Sequence, residues 1–146
     1  MNSPASFQHH RPRRNVAAIL NPRPKMKRIL IVEDNPANRE LLREVLESRG
    51  YEVEEARNGK EALHVLPLMK VDLAIVDLQM PEMDGITLVR LIREHPAIGK
   101  LPVLALTAYA MHGDKERALQ SGFDGYLTKP FQIGVLTQEL KQLLGE

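Results

Sequence analysis

The sequence predicts an α/β fold with a five-stranded parallel sheet that is doubly wound, with helices on both faces. Continuous aliphatic runs of strand length occur in "RILIV" (28–32), "LAIVD" (73–77) and "PVLALT" (102–107). Such strands need cover on both faces, which is typical of the middle of a parallel sheet. Helical periodicity fills the intervals between the strands, and parallel strands require crossover connections of this kind.

Two further strands complete the predicted sheet. "YEVEEA" (51–56) alternates between apolar and polar residues, which favours a position nearer an edge of the sheet. "DGYLTK" (124–129) is a short apolar segment between turn formers and predicts the fifth strand.

Helix starts are predicted where asparagine precedes an apolar stripe. Asn35 is a plausible N-cap with Pro36 at the first helical position, and Asn58 can cap a second helix. A third helix follows the 73–77 strand, and a fifth lies at the C-terminus. The apolar stripes of these four helices are Leu41, Leu42, Val45 and Leu46; Ala62, Leu63 and Leu66; Ile86, Leu88, Val89 and Ile92; and Leu136, Leu140, Leu143 and Leu144.

Helix ends are predicted from glycine and proline. Gly50 is placed to end the first helix, and Pro67 to interrupt or end the second. A fourth, more polar helix is expected from about His112 to Ser121, closing at Gly122. The chain then reads as five strands alternating with five helices.

Composition excludes several classes of function. The 146 residues are 43% hydrophobic and 27% charged, which suits one globular domain. There is no cysteine, so disulfides, thiolate zinc sites and thiol nucleophiles are excluded. No apolar run approaches the roughly 20 residues of a membrane span. We therefore expect a cytoplasmic protein.

The charge is distributed unevenly along the chain. Residues 1–25 carry five basic side chains and no acid, whereas residues 26–146 hold 15 basic and 19 acidic ones. We divide the chain into a flexible basic tail at 1–26 and a folded domain at 27–146. Translation starting at Met26 is an equal alternative for the tail, to which we assign no function. The acidic body has only 4% aromatic residues, so we expect it to bind no nucleic acid.

Polar residues collect where the predicted strands end. The first strand leads into Glu33 and Asp34, the third ends in Asp77, the fourth in Thr107, and the fifth leads into Lys129. Ligand sites of such folds lie beyond the carboxyl ends of the strands. Three carboxylates without histidine or cysteine suit Mg²⁺ or Mn²⁺. A carboxylate beside such an ion can attack a phosphoryl group and form an acyl phosphate.

The chain resembles the receiver domain of two-component response regulators over about residues 27–144. The resemblance is carried by "ILIVEDN", "VDLQMPEMDG", "LALTAYA" and "GYLTKPF". It implies the strand order 2-1-3-4-5. It also implies that Asp77 is the phosphoacceptor, and that Thr107 and Lys129 contact the phosphoryl group. The implied metal ligands are Glu33, Asp34, Asp77 and the backbone carbonyl of Gln79.

The same resemblance implies a switch and its timing. Thr107 and Tyr126 match the switch residues, and Pro130 follows Lys129 through a peptide bond that is cis in the family. Gln79 and Tyr109 lie two positions beyond Asp77 and Thr107, where they flank the path of an attacking water, and the small Ala108 leaves the mouth of the pocket open. We expect Tyr109 to hinder that water and so to lengthen the lifetime of the acyl phosphate; surface packing or contact with a partner is an equal alternative for Tyr109.

The resemblance also implies partners. The phosphodonor would be a histidine kinase or histidine phosphotransfer protein, and a downstream protein would bind the surface of helix 4, strand 5 and helix 5. A homodimer linked to phosphorylation is compatible with this reading. We expect a signalling switch rather than an enzyme, with only self-phosphorylation and autodephosphorylation.

Three interpretations of the whole chain remain. The first choice is a free-standing regulator that resembles those of the DivK type. The alternative is a receiver cut from a hybrid histidine kinase. A Mg²⁺-dependent phosphohydrolase of the haloacid-dehalogenase kind is disfavoured, because Gln79 stands where those enzymes need a second acid.

Overall fold

The computed structural model describes residues 26–108 and 110–146; residues 1–25 of the predicted tail and Tyr109 lie outside the described residues. Helices and strands alternate along the chain. They are β1 (Arg28–Val32), α1 (Pro36–Ser48), β2 (Glu52–Ala56), α2 (Gly59–Val65), β3 (Leu73–Asp77), α3 (Gly85–Glu94), β4 (Val103–Thr107), α4 (Asp114–Ser121), β5 (Gly125–Thr128) and α5 (Ile133–Leu144). Among these described helices, none is both long enough and apolar enough to cross a membrane.

The sheet confirms the predicted fold class. All neighbouring strands pair in parallel, in the order β2-β1-β3-β4-β5. The alternating strand β2 lies at an edge, as its pattern predicts. The chain moves outward from β1 to β2 and then returns to place β3 on the other side of β1. The carboxyl ends of β1 and β3 therefore flank the topological switch point, where ligands bind in such sheets.

Each face of the sheet carries its own hydrophobic core. Within β1, Ile29 and Ile31 pack on one face, against residues of α1 and α5. Leu30 and Val32 pack on the opposite face, with residues of α2, α3 and α4. This alternation is the period of two that a strand imposes on its side chains. The continuous aliphatic runs are explained, since both faces of the central strands are buried.

One helix boundary differs from the sequence prediction, and the end of α2 at the predicted proline agrees with it. Helix α4 begins at Asp114 rather than at His112, because Gly113 adopts a left-handed conformation with φ of 85° and so cannot continue a helix. The Asp114 carboxylate accepts a hydrogen bond from the Met111 backbone N–H at 2.8 Å, which fixes the turn before the helix. In α2, the helix ends at Val65 and a 3₁₀ turn over Leu66–Leu68 accommodates Pro67.

Candidate functional site

Three carboxylates meet at the switch point between β1 and β3. Glu33 and Asp34 directly follow β1, and Asp77 is the last residue of β3. One carboxylate oxygen from each residue lies within 4.8 Å of the other two. Parallel pairing of Val32 with Val76 brings these strand ends together. The side chains of Glu33 and Asp77 are buried, whereas Asp34 is exposed at the mouth of the site.

Lys129 supplies a positive charge to this cluster from across the sheet. Its Nζ lies 2.9 Å from Glu33 Oε1 and 3.6 Å from Asp77 Oδ2. The Lys129 backbone N–H donates to the Thr107 carbonyl at 2.7 Å, and the Lys129–Pro130 peptide bond is cis. The ammonium thus balances only part of the negative charge.

The two buried carboxylates have opposite pKa shifts. Burial raises the pKa of Asp77 to about 6, and the Glu33 charge adds to this rise, although a hydrogen bond from the Gln79 N–H and the Lys129 charge oppose it. Burial tends to raise the pKa of Glu33 as well. Hydrogen bonds from Lys129 and the Asn35 N–H outweigh this effect and leave the Glu33 pKa below its usual value. The site therefore favours an additional positive charge beside Asp77. Oxygen donors of this kind suit Mg²⁺ or Mn²⁺.

The Thr107 hydroxyl donates to the side chain of Gln79, a bond that the sequence did not predict. Thr107 is fully buried at the end of β4, and its Oγ1 donates to Gln79 Oε1 at 2.6 Å. The Gln79 backbone N–H donates to Asp77 Oδ1 at 3.0 Å. Gln79 thereby connects the carboxylate at the end of β3 with the hydroxyl at the end of β4.

Tyr126 lies apart from the carboxylates, on β5. Its ring packs against the core on the α2, α3 and α4 face of the sheet. Its hydroxyl oxygen is buried and has no hydrogen-bond partner among the residues that the structure describes. Burial, and then the nearby Asp114 charge, raise the pKa of this phenol. Ala108 is exposed beyond Thr107.

The structure thus groups most of the predicted site residues. Glu33, Asp34, Asp77 and Lys129 form one cluster, and Thr107 joins it through Gln79.

Arg39 also belongs to this neighbourhood and was missed by the sequence analysis. Its Nη1 donates to the carbonyl oxygens of Glu33 and Asp34 at 2.8 and 3.3 Å. An arginine near the start of a helix is only a weak indication of a functional site, because most such side chains are solvated.

The chain is similar to known receiver proteins over most of its length. A family model described as "Response regulator receiver domain" matches residues 29–141. The polar-differentiation response regulator DivK of Brucella anthropi is 38% identical over 120 residues, covering 82% of this chain and 98% of that protein.

Two solved structures of receiver domains from histidine kinases are also similar to this chain. One, from Syntrophus aciditrophicus, is 43% identical with a TM-score of 0.75 and covers 82% of this chain and 90% of that one. The other belongs to a sensor histidine kinase of Pseudomonas aeruginosa and has a magnesium ion coordinated in its active site cleft. It is 35% identical with a TM-score of 0.77, and covers 84% of this chain and all of that one.

Proposed function

This chain belongs to the response regulator receiver domain family, and we propose that Asp77 accepts a phosphoryl group from a phosphohistidine donor and so switches the protein. The observation that carries the proposal is the cluster of Glu33, Asp34 and Asp77 with Lys129 beside it. A histidine kinase or histidine phosphotransfer protein would be the donor.

The proposed reaction is a transfer between two protein side chains. An oxygen of the Asp77 carboxylate attacks phosphorus and forms a P–O bond, while the P–N bond breaks and its electron pair returns to the imidazole nitrogen of the donor. Mg²⁺, held by Glu33, Asp34, Asp77 and the Gln79 carbonyl, would neutralise charge on the phosphoryl oxygens. The Lys129 ammonium, which already lies 3.6 Å from Asp77 Oδ2, neutralises a further part.

The proposed switch begins with the charge of the product. Phosphorylation adds roughly −1.5 to −2 charge at Asp77. Thr107 then exchanges Gln79 for a phosphoryl oxygen as its acceptor, which shifts the end of β4. Tyr126, whose ring packs against the core on the α2, α3 and α4 face of the sheet, repacks with it and reshapes the surface of α4, β5 and α5. A downstream protein would bind that surface.

The test is the intact mass of the full chain after incubation with acetyl phosphate, in Mg²⁺ and in EDTA. We expect the wild type to gain one phosphoryl group only with Mg²⁺, and Asp77→Asn to gain none. Asp72→Asn is the matched control, because Asp72 lies just before the opposite end of β3 and binds the Arg28 backbone N–H. Phosphorylation that persists in Asp77→Asn would refute the assignment, as would no gain from either acetyl phosphate or a phosphohistidine protein.

The bond between Gln79 and Thr107 predicts a kinetic effect. Removal of the acceptor in Gln79→Ala is expected to speed phosphorylation by acetyl phosphate by about two- to tenfold, because a net hydrogen bond of about 0.5–1.5 kcal/mol no longer holds the hydroxyl away from the phosphoryl group. The measurement is the rate of mass gain in a double-mutant cycle with Thr107→Ala. An equal acceleration in the Thr107→Ala background would show that Gln79 acts independently of the hydroxyl.

A further inference from the structure

Arg39 lies one turn into α1, and its guanidinium turns back toward the acidic loop. Helical side chains lean toward the N-terminus of their helix, which brings this one over the β1–α1 connection. Nη1 donates to the Glu33 carbonyl at 2.8 Å and to the Asp34 carbonyl at 3.3 Å. The side chain is only 13% exposed, so its bonds compete little with water.

The other edge of the guanidinium is anchored on β2. Arg39 Nε lies 3.1 Å from Glu55 Oε1, and Arg43 Nε lies 2.5 Å from Glu55 Oε2. Glu55 thus binds both arginines. Burial tends to raise the pKa of Glu55, but the bonds from the two arginines keep that pKa below its usual value. Only Arg39 of this pair also binds the carbonyls that precede α1.

Hydrogen bonds within the β1–α1 connection also fix its conformation. The Asn35 side chain caps α1 by accepting from the Asn38 N–H at 3.0 Å, and the Asn35 N–H donates to Glu33 Oε2 at 3.1 Å. None of these bonds involves the carbonyl oxygens of Glu33 or Asp34. The peptide group between Asp34 and Asn35 is therefore held on both sides, through its N–H by Glu33 and through its carbonyl by Arg39, while the guanidinium also holds the Glu33 carbonyl.

We infer that Arg39 is a positioning residue for the divalent cation: by holding these two carbonyls, it orients the carboxylates of Glu33 and Asp34 toward Asp77. The inference rests on the proposed metal site. Residues that orient metal ligands in this way typically contribute 10- to 100-fold to metal affinity.

The sign of the effect separates positioning from simple charge. A guanidinium near three carboxylates repels a divalent cation, so its removal alone would tighten Mg²⁺ binding. Loss of positioning weakens Mg²⁺ binding instead. The two effects act in opposite directions on the same measured quantity.

The test is calorimetric titration of the full chain with Mg²⁺, supported by Mn²⁺ electron paramagnetic resonance. We expect about tenfold weaker binding in Arg39→Ala, and recovery of part of the affinity in Arg39→Lys, which restores one cationic donor. Arg43→Ala is the matched control and is expected to stay near the wild-type affinity, because it loses a Glu55 bond but no loop contact. Thermal unfolding in EDTA checks that each variant folds.

Each outcome decides a separate question. Unchanged or tighter Mg²⁺ binding in Arg39→Ala would overturn the inference while leaving the metal site intact. Equal weakening in Arg39→Ala and Arg43→Ala would also overturn it, since the effect would then come from the Glu55 network. No binding by the wild type would overturn the metal site itself. If Arg39→Ala does not fold, Arg39→Gln removes the same charge, and weaker or tighter binding decides in the same way.

Discussion

Replacement of Asp77 by asparagine is expected to raise the free energy of unfolding of the metal-free protein at pH 7 by on the order of 2 kcal/mol. Burial and the neighbouring Glu33 raise the pKa of Asp77 to about 6. The folded protein therefore binds this proton more tightly than the unfolded chain does. Ionised Asp77 destabilises the fold, and asparagine removes that charge while keeping a similar shape.

The pH dependence of the stability gained by Asp77→Asn follows from the same shift in the Asp77 pKa. Below the ordinary aspartate pKa, Asp77 is protonated in both states and the advantage of Asn is absent. The wild type loses stability as the pH rises from about 4 to about 6, so the advantage of Asn grows over that window and is constant above it.

The measurement is urea unfolding of both proteins in EDTA between pH 4 and pH 8. Saturating Mg²⁺ serves as the internal control, because binding at the proposed metal site would raise the stability of the wild type and offset the repulsion. A variant that is less stable than the wild type at pH 7 in EDTA would contradict the prediction.

Much of the fold could be predicted because its determinants are local. The aliphatic runs of β1, β3 and β4 require burial on both faces, and that requirement fixes their central position. Asn35 and Asn58 each cap a helix through a bond to the third residue beyond, a contact set by helix geometry alone. The convergence of Glu33, Asp34 and Asp77 then follows from parallel topology, since all the carboxyl ends lie at one edge.

The parts that could not be predicted depend on long side chains or on backbone torsions. Gln79 has three rotatable bonds, so its choice of the Thr107 hydroxyl depends on the assembled site. Arg39 finds Glu55 16 residues away, on a neighbouring strand. Helix α4 starts only at Asp114 because Gly113 has a positive φ. The polar helical pattern of this segment does not reveal that backbone torsion.

The glycine of "MPEMDG" is expected to be the most sensitive small residue near the site. Gly85 begins α3, and its N–H donates to the carbonyl of Leu78, the residue after β3, at 3.1 Å. A Cβ at this position would lie 2.9 Å from the Asp77 carbonyl oxygen and 3.0 Å from Leu78 Cα. Both contacts are with backbone, which can yield only by moving the end of β3.

We therefore expect Gly85→Ala to lower the free energy of unfolding by about 1–3 kcal/mol and to slow phosphorylation, because the displaced backbone carries Asp77 out of register with Glu33 and Lys129.

Gly134→Ala is the matched control: Gly134 lies in α5, and a Cβ there meets nothing within 4 Å among the described residues. That variant is expected to gain up to about 1 kcal/mol, because alanine restricts the unfolded chain and favours the helix. Urea unfolding and the rate of acetyl phosphate labelling measure both effects. If Gly85→Ala kept wild-type stability and labelling, α3 could move independently of β3, and the glycine would have no role in holding Asp77.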